Sequence, residues 1–167
     1  MRIVPLDKSP LPSIAPDIVF DGVLGDFAAA LPGEVANRGG LRARAALETA
    51  VLICLGTDAR VRPDELRDGD INRGWPGDSF DMADDEAPIG SRLWLLRRRT
   101  VDDAIVPRLA EDYAVEALAP LIRQGAAAKA TASAVADPAH NALVLSVTLT
   151  DRDGAVVVAQ KFRVLWP

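Results

Sequence analysis

Leu143-Val144-Leu145-Ser146-Val147-Thr148-Leu149-Thr150 alternates apolar and smaller or polar side chains with a period of two. Successive residues of a strand point to opposite faces, so this run predicts a half-buried strand with Leu143, Leu145, Val147 and Leu149 turned to a core. Asp153-Gly154 follows as a tight-turn signal, and a second run then returns. In that run Val156, Val158, Phe162, Val164 and Trp166 share one face, while Lys161 and Arg163 point the other way. The two runs make an antiparallel hairpin. Upstream, Ala126–Ala136 reads as a weak, alanine-rich strand, and Asp137-Pro138 through Asn141 as the turn that joins it. The last 42 residues are therefore expected to form a three-stranded meander.

Helical spacing precedes the meander. Leu47, Ala50, Val51, Cys54 and Leu55 recur at i, i+3, i+4, i+7 and i+8, with Leu52 and Ile53 widening the face and Gly56 ending it. Ser91 is placed to cap a short helix through Leu93-Trp94-Leu95-Leu96. Arg97, Arg98 and Arg99 would stand at its negative end. Thr100 and Asp103 form a capping-box-like pair before a long helix that runs to about Gln124. Leu109, Tyr113, Ala117 and Leu121 repeat along it, beside Val106, Ala110, Ala114 and Leu118. Pro107 either interrupts that helix or restarts it in a first turn. Gly125 ends it.

The fold class expected is α+β in a single domain: a C-terminal antiparallel meander packed against two or three helices, with a small N-terminal β-hairpin. The hairpin rests on Ile18-Val19-Phe20 followed by Asp21-Gly22. Residues 1–16, with Pro5, Pro10, Pro12 and Pro16, read as an extended arm, and residues 17–167 as the domain.

Residues 58–89 differ in character, with ten carboxylates against four arginines and several Gly or Pro turn points. A structureless stretch of that length within a compact domain tends to be functional. Trp75 sits in its Arg73-Gly74-Trp75-Pro76-Gly77-Asp78 segment, either plugging the loop onto the domain or anchoring a partner.

Bulk properties narrow the function. A net charge of -5 argues against general nucleic-acid affinity and against docking on anionic lipid. A single cysteine excludes an intrachain disulfide. Cys54 lies on an apolar helix face, a setting for a small buried hydrophobe rather than a nucleophile. His140, the one histidine, falls in a turn with no partner nucleophile in view. Asp68-Gly69-Asp70-Ile71-Asn72 opens like a calcium loop, but Arg73 and Ser79 stand where that loop needs Gly and Glu. Asp84-Asp85-Glu86 reads as a solvated charge run. No phosphate-binding glycine loop occurs. The expectation is a protein with no catalytic residues, no cofactor and no metal.

Leu47-Glu48-Thr49-Ala50-Val51-Leu52-Ile53, then Leu55 and Thr57-Asp58-Ala59-Arg60, resembles the signature of the Mu-like phage tail baseplate wedge family. Arg73-Gly74-Trp75-Pro76-Gly77-Asp78, Gly90-Ser91-Arg92-Leu93-Trp94-Leu95-Leu96, and the helix with Tyr113-Ala114 and Glu116-Ala117-Leu118 continue the likeness in order. The resemblance implies a structural subunit of a contractile phage tail baseplate, present in multiple copies in an assembled ring. Its partners would be other baseplate proteins: wedge, hub or spike, and sheath or tube. It would bind neither nucleic acid nor membrane. It would reside in the virion tail after assembly in the bacterial host cytoplasm. The residues expected to touch partners are Arg73, Trp75, Asp78, Arg163 and Trp166. Two other readings stay open: a peptidoglycan-degrading, lysozyme-like hydrolase using loop carboxylates, and a cytoplasmic adaptor unrelated to tails.

Overall fold

A computed structural model describes residues 2–5, 18–20, 25–27, 46–80, 82 and 87–166. The elements are β1 (Arg2–Pro5), β2 (Ile18–Phe20), β3 (Gly25–Phe27), α1 (Ala46–Gly56), α2 (Val106–Arg123), β4 (Lys129–Asp137), β5 (Ala142–Thr150) and β6 (Val156–Leu165). A seven-residue 3-10 helix, Arg92–Arg98, precedes α2. The class is α+β, as the sequence patterns indicate.

The meander β4-β5-β6 is antiparallel throughout, with Ala134 opposite Leu145 and Leu145 opposite Phe162. A fourth strand completes the sheet in the order β1-β6-β5-β4. The start of the expected N-terminal arm is thus extended but paired: Ile3 lies opposite Val164 and is itself buried. Residues 6–16 of that arm lie outside the described residues. β2 and β3 pair with each other, Val19 opposite Asp26.

One face of the sheet is dry. Leu143, Leu145, Leu149, Phe162 and Val164 are all fully buried on it. Burying a side chain of this kind stabilises the fold by roughly 1.5–3 kcal/mol. Both α-helices cover that face: α2 packs on β4 and β5, α1 on β1 and β6, and the helices touch each other. The inner positions of β4 are Ala130, Ala132, Ala134 and Ala136. The facing stripe of α2 includes Ala110, Ala114 and Ala117. Methyl-sized side chains on both sides let helix and strand backbones approach closely, and dispersion contacts at such closeness leave no room for a longer side chain. The opposite sheet face carries Thr131, Ser133, Ser146, Thr148 and Lys161, none of them buried.

Three local expectations change. The long helix begins at Val106, not Thr100, with Pro107 in its first turn. A proline ring collides with the preceding helical turn, so the chain before it must take another shape. Asp103 instead accepts hydrogen bonds from the Ile105 amide and the Arg99 guanidinium. The Ser91 side chain does not cap the 3-10 helix; its hydroxyl donates to the Leu55 carbonyl at 2.9 Å. Val156 is exposed rather than inward, because the register shifts between Leu149 and Thr150 and sets Val156 opposite Thr150. At the other end of α2, Gly125 adopts φ +76°, the Gly125 amide donates to Ile122 and the Ala126 amide to Leu121. That paired pattern terminates the helix where the glycine suggests.

The alanine contact is testable. Ala114→Leu is expected to cost about 1–3 kcal/mol by overpacking. Val115→Leu, one position along at a part-exposed site, should stay within about 0.5 kcal/mol. Urea titration of both variants measures the difference.

Candidate functional site

The stretch between α1 and the 3-10 helix is a tied structure. Its two ends meet: the Ala59 amide donates to the Ser91 carbonyl and the Ser91 amide to the Thr57 carbonyl, both at 2.9 Å. Gly90 makes the crossing possible. It sits at φ +122°, and a Cβ there would come within 2.8 Å of the Ala59 nitrogen. Further in, the Asn72 side chain bonds the backbone of Val61 both ways, accepting from its amide at 2.9 Å and donating to its carbonyl at 2.8 Å. The Arg60 guanidinium donates to the Arg73 carbonyl at 3.3 Å. A small apolar cluster of Val61, Trp94 and Leu95 lies beneath, with Leu66 and Tyr113 against it. The Trp94 indole donates to the Ala59 carbonyl at 2.9 Å.

Ion pairs hold the same loop down. Asp70, 8% exposed at its side chain, pairs with both Arg97 and Arg98. The Arg67 amide, and then the two guanidiniums, hold its carboxyl below the usual aspartate range. Arg92 bridges Glu65 at 2.7 Å and Glu116 at 2.6 Å and lies over the Tyr113 ring. The Arg62 amide and Arg92 likewise lower the Glu65 carboxyl. The stretch that opens like a calcium loop is thus occupied internally: Asp70 by arginines, Asn72 by backbone. Among the described residues, no group of three or more His, Cys, Asp or Glu could hold a metal ion. Asp84-Asp85-Glu86 lies outside the described residues.

The loop turns several large apolar side chains outward, among exposed arginines and aspartates. Ile71 is 65% exposed, Trp75 52%, Phe80 80% and Met82 44%. The indole of Trp75 lies against Gly77, where any side chain would collide with it. Trp75 thus packs on the turn of its own loop, with about half of its surface free. Arg73 is exposed beside it, and Asp78 accepts from the Ile89 amide at 3.3 Å, bracing the loop across eleven residues.

Arg163 and Trp166 do not join this surface. Arg163 stands opposite Val144 and Val4 on the open sheet face. Trp166 packs against the main core, and its indole donates to the Arg99 carbonyl at 2.8 Å. Ile71, Phe80 and Met82 escape a reading by periodicity, since they follow neither a helix nor a strand spacing. Their signal is subtler: large apolar residues scattered through a carboxylate-rich stretch.

The remaining titratable candidates have plain settings. His140 is exposed and contacts Asp137 at 2.8 Å, which lowers the Asp137 carboxyl. Cys54 is buried, and burial pushes its thiol pKa up, away from the reactive thiolate. No helix among the described residues is long and apolar enough to cross a membrane.

Comparison with known proteins gives two matches. The family described as Phage protein GP46 matches residues 47–156. The chain is 41% identical over 114 residues to "Baseplate protein gp46" of Escherichia phage Mu, covering 66% of this chain and 74% of that protein. No solved structure matches.

Two predictions follow from the loop's anchors. An aspartate held below its ordinary pKa stabilises the closed loop fully above the unfolded value of about 3.9, and the benefit is lost as pH falls through the lowered one. Asp70 and Glu65 both have this sign. The protection factors of the Val61 amide and its neighbours, measured against the intrinsic exchange rate at each pH, should therefore fall below about pH 4, and Asp70→Asn should show the lower protection already at pH 7. Gly90→Ala, which forces a side chain into the loop's closure at positive φ, should cost at least about 1–3 kcal/mol. Thermal unfolding reads this as a drop of several degrees.

Proposed function

The chain belongs to the phage protein GP46 family, and on that premise we propose that it is a structural subunit of a contractile tail baseplate, a wedge component that holds the hub and neighbouring baseplate or sheath proteins. The relative in phage Mu is named a baseplate protein. A baseplate subunit acts by contact with other baseplate components, so its functional parts are surfaces. The observation that supports this most directly is the pinned loop. Its backbone is fixed by Ser91, Asn72 and the Asp70–arginine pairs, while Ile71, Trp75 and Phe80 stay in solvent.

Ordering a loop on binding costs conformational entropy, and a loop already ordered avoids that cost. A large exposed aromatic on a rigid support suits an interface anchor. Arg73, Trp75 and Asp78 belong to this surface as proposed partner-contacting residues, Asp78 partly by bracing the backbone. Arg163 supplies a cation on the open sheet face, a second proposed contact. Trp166 contributes by holding β6 to the segment before α2. The subunit is proposed to occur in multiple copies in the assembled ring of the tail and to bind neither nucleic acid nor membrane.

A glycan hydrolase reading finds no support in the charge state of the loop. Such an enzyme needs a carboxyl kept protonated by a raised pKa to act as the acid. Among the described residues, Glu65 and Asp70 in the loop, and Asp103 beyond it, are shifted the other way by backbone amides and arginines. We therefore propose a role without catalysis.

Trp75→Ala should leave the isolated fold intact, because the ring is half in solvent. The same change should reduce assembled baseplates seen by electron microscopy. Normal assembly of Trp75→Ala tails would remove the loop from the contact surface.

A further inference from the structure

The loop between α1 and the 3-10 helix is rich in acids, yet its described surface is basic. Several of its carboxylates are engaged within the molecule. Asp70 pairs with Arg97 and Arg98, Glu65 with Arg92, and Asp78 accepts from the Ile89 amide. Asp64 is exposed but pairs with Arg62. Arg60, Arg67 and Arg73 are exposed, and no carboxylate among the described residues pairs with them. Against these three stands one exposed, unpaired aspartate among the described residues, Asp68. Asp81 and Asp84-Asp85-Glu86 lie outside the described residues.

Two of the free cations belong to one turn. The Arg60 guanidinium donates through Nε to the Arg73 carbonyl at 3.3 Å, and its side chain lies along Gly74. Gly74 has φ +92°, and a Cβ there would come within 2.9 Å of the Arg60 Cβ, so the approach needs the glycine. That single bond leaves the remaining donors of the Arg60 guanidinium for another group. Trp75 follows directly, half exposed on the turn that ends at Ser79. An arginine fork takes a carboxylate in two parallel bonds, and an indole beside it offers apolar contact area.

The charge pattern also separates the possible occupants. Three arginines fall short of the clusters of about four to eight basic residues that recognise anionic lipid. A net charge of -5 works against a polyphosphate backbone. A second copy docked by two-fold symmetry would set these arginines against their own counterparts, since in that symmetry a patch meets itself.

We propose that Arg60, Arg73 and Trp75 receive an aspartate- or glutamate-bearing segment of a different protein of the baseplate. The two arginines bond its carboxylates, and Trp75 packs on the apolar part of the same segment. The inference rests on the baseplate reading and adds the chemistry of the neighbour to it.

The test changes Arg73, whose backbone carbonyl can keep its bond from Arg60 whatever the side chain. Arg73→Glu should lower the amount of this chain in purified tails at least tenfold, while Arg73→Lys keeps most of it. Urea titration of the isolated chains should find both as stable as the wild type. The photo-crosslinking residue p-benzoyl-phenylalanine, placed at Ile71, which is 65% exposed two residues away, then locates the neighbour. Irradiated tails should yield a crosslinked peptide of another tail protein that contains Asp or Glu. Reversing those acids to arginine in that protein should restore the Arg73→Glu chain to tails. Incorporation of Arg73→Glu at the wild-type level overturns the acidic partner and leaves the baseplate reading standing. So does a crosslink to nothing, to lipid, to another copy or to residues 81–86 of the same chain. Absence of the wild-type chain from purified tails overturns both.

Discussion

Two backbone hydrogen bonds, Ala59 to Ser91 and Ser91 to Thr57, decide how this molecule presents itself. They join the end of α1 to the start of the 3-10 helix and so fix both ends of everything between. The Ser91 hydroxyl adds a third tie, to the Leu55 carbonyl in the last turn of α1. No side chain fits at Gly90 without striking the Ala59 backbone. Because α1 lies on the sheet, the loop inherits the rigidity of the core.

Inside that frame, one acid and two large apolar residues stand in each other's usual places. Asp70 is shielded from solvent between two arginines, whereas Phe80 and Ile71 are in water. A buried carboxylate is tolerated only when paired and hydrogen-bonded, and here the Arg67 amide and both guanidiniums satisfy it. The charged groups hold the backbone, leaving the apolar groups free for contact. That division of labour is what a subunit acting by its surface requires.

Much of the fold is legible in the sequence, for physical reasons. The alternation in β5 and β6 is visible because one sheet face is dry and the other wet, and the stripe of α1 because one side of that helix faces the core. Other parts depend on partners far along the chain. Arg2–Pro5 is too short to announce a strand and becomes one only against Phe162–Leu165. β4 is poor in β-branched residues, and its alanines make sense once the alanine stripe of α2 lies over them. The exposure of Val156 follows from an irregularity in pairing, which composition does not encode. At the loop, the sequence reveals many acids and many arginines, and Trp75 among them. It does not reveal that Asp70 meets residues 27 and 28 positions away, nor that Phe80 and Ile71 are left outside.

Glu111 of α2 reaches the rim of the sheet and accepts a hydrogen bond from the Ala134 amide at 2.8 Å. β4 ends the strand order, and alternate amides of an outermost antiparallel strand aim away from their neighbour. A bare row of such donors invites stray chains to add themselves, the first step toward insoluble material. The carboxylate occupies one of those donors and brings a negative charge to the margin. That margin is thereby made a poorer template for a stray strand.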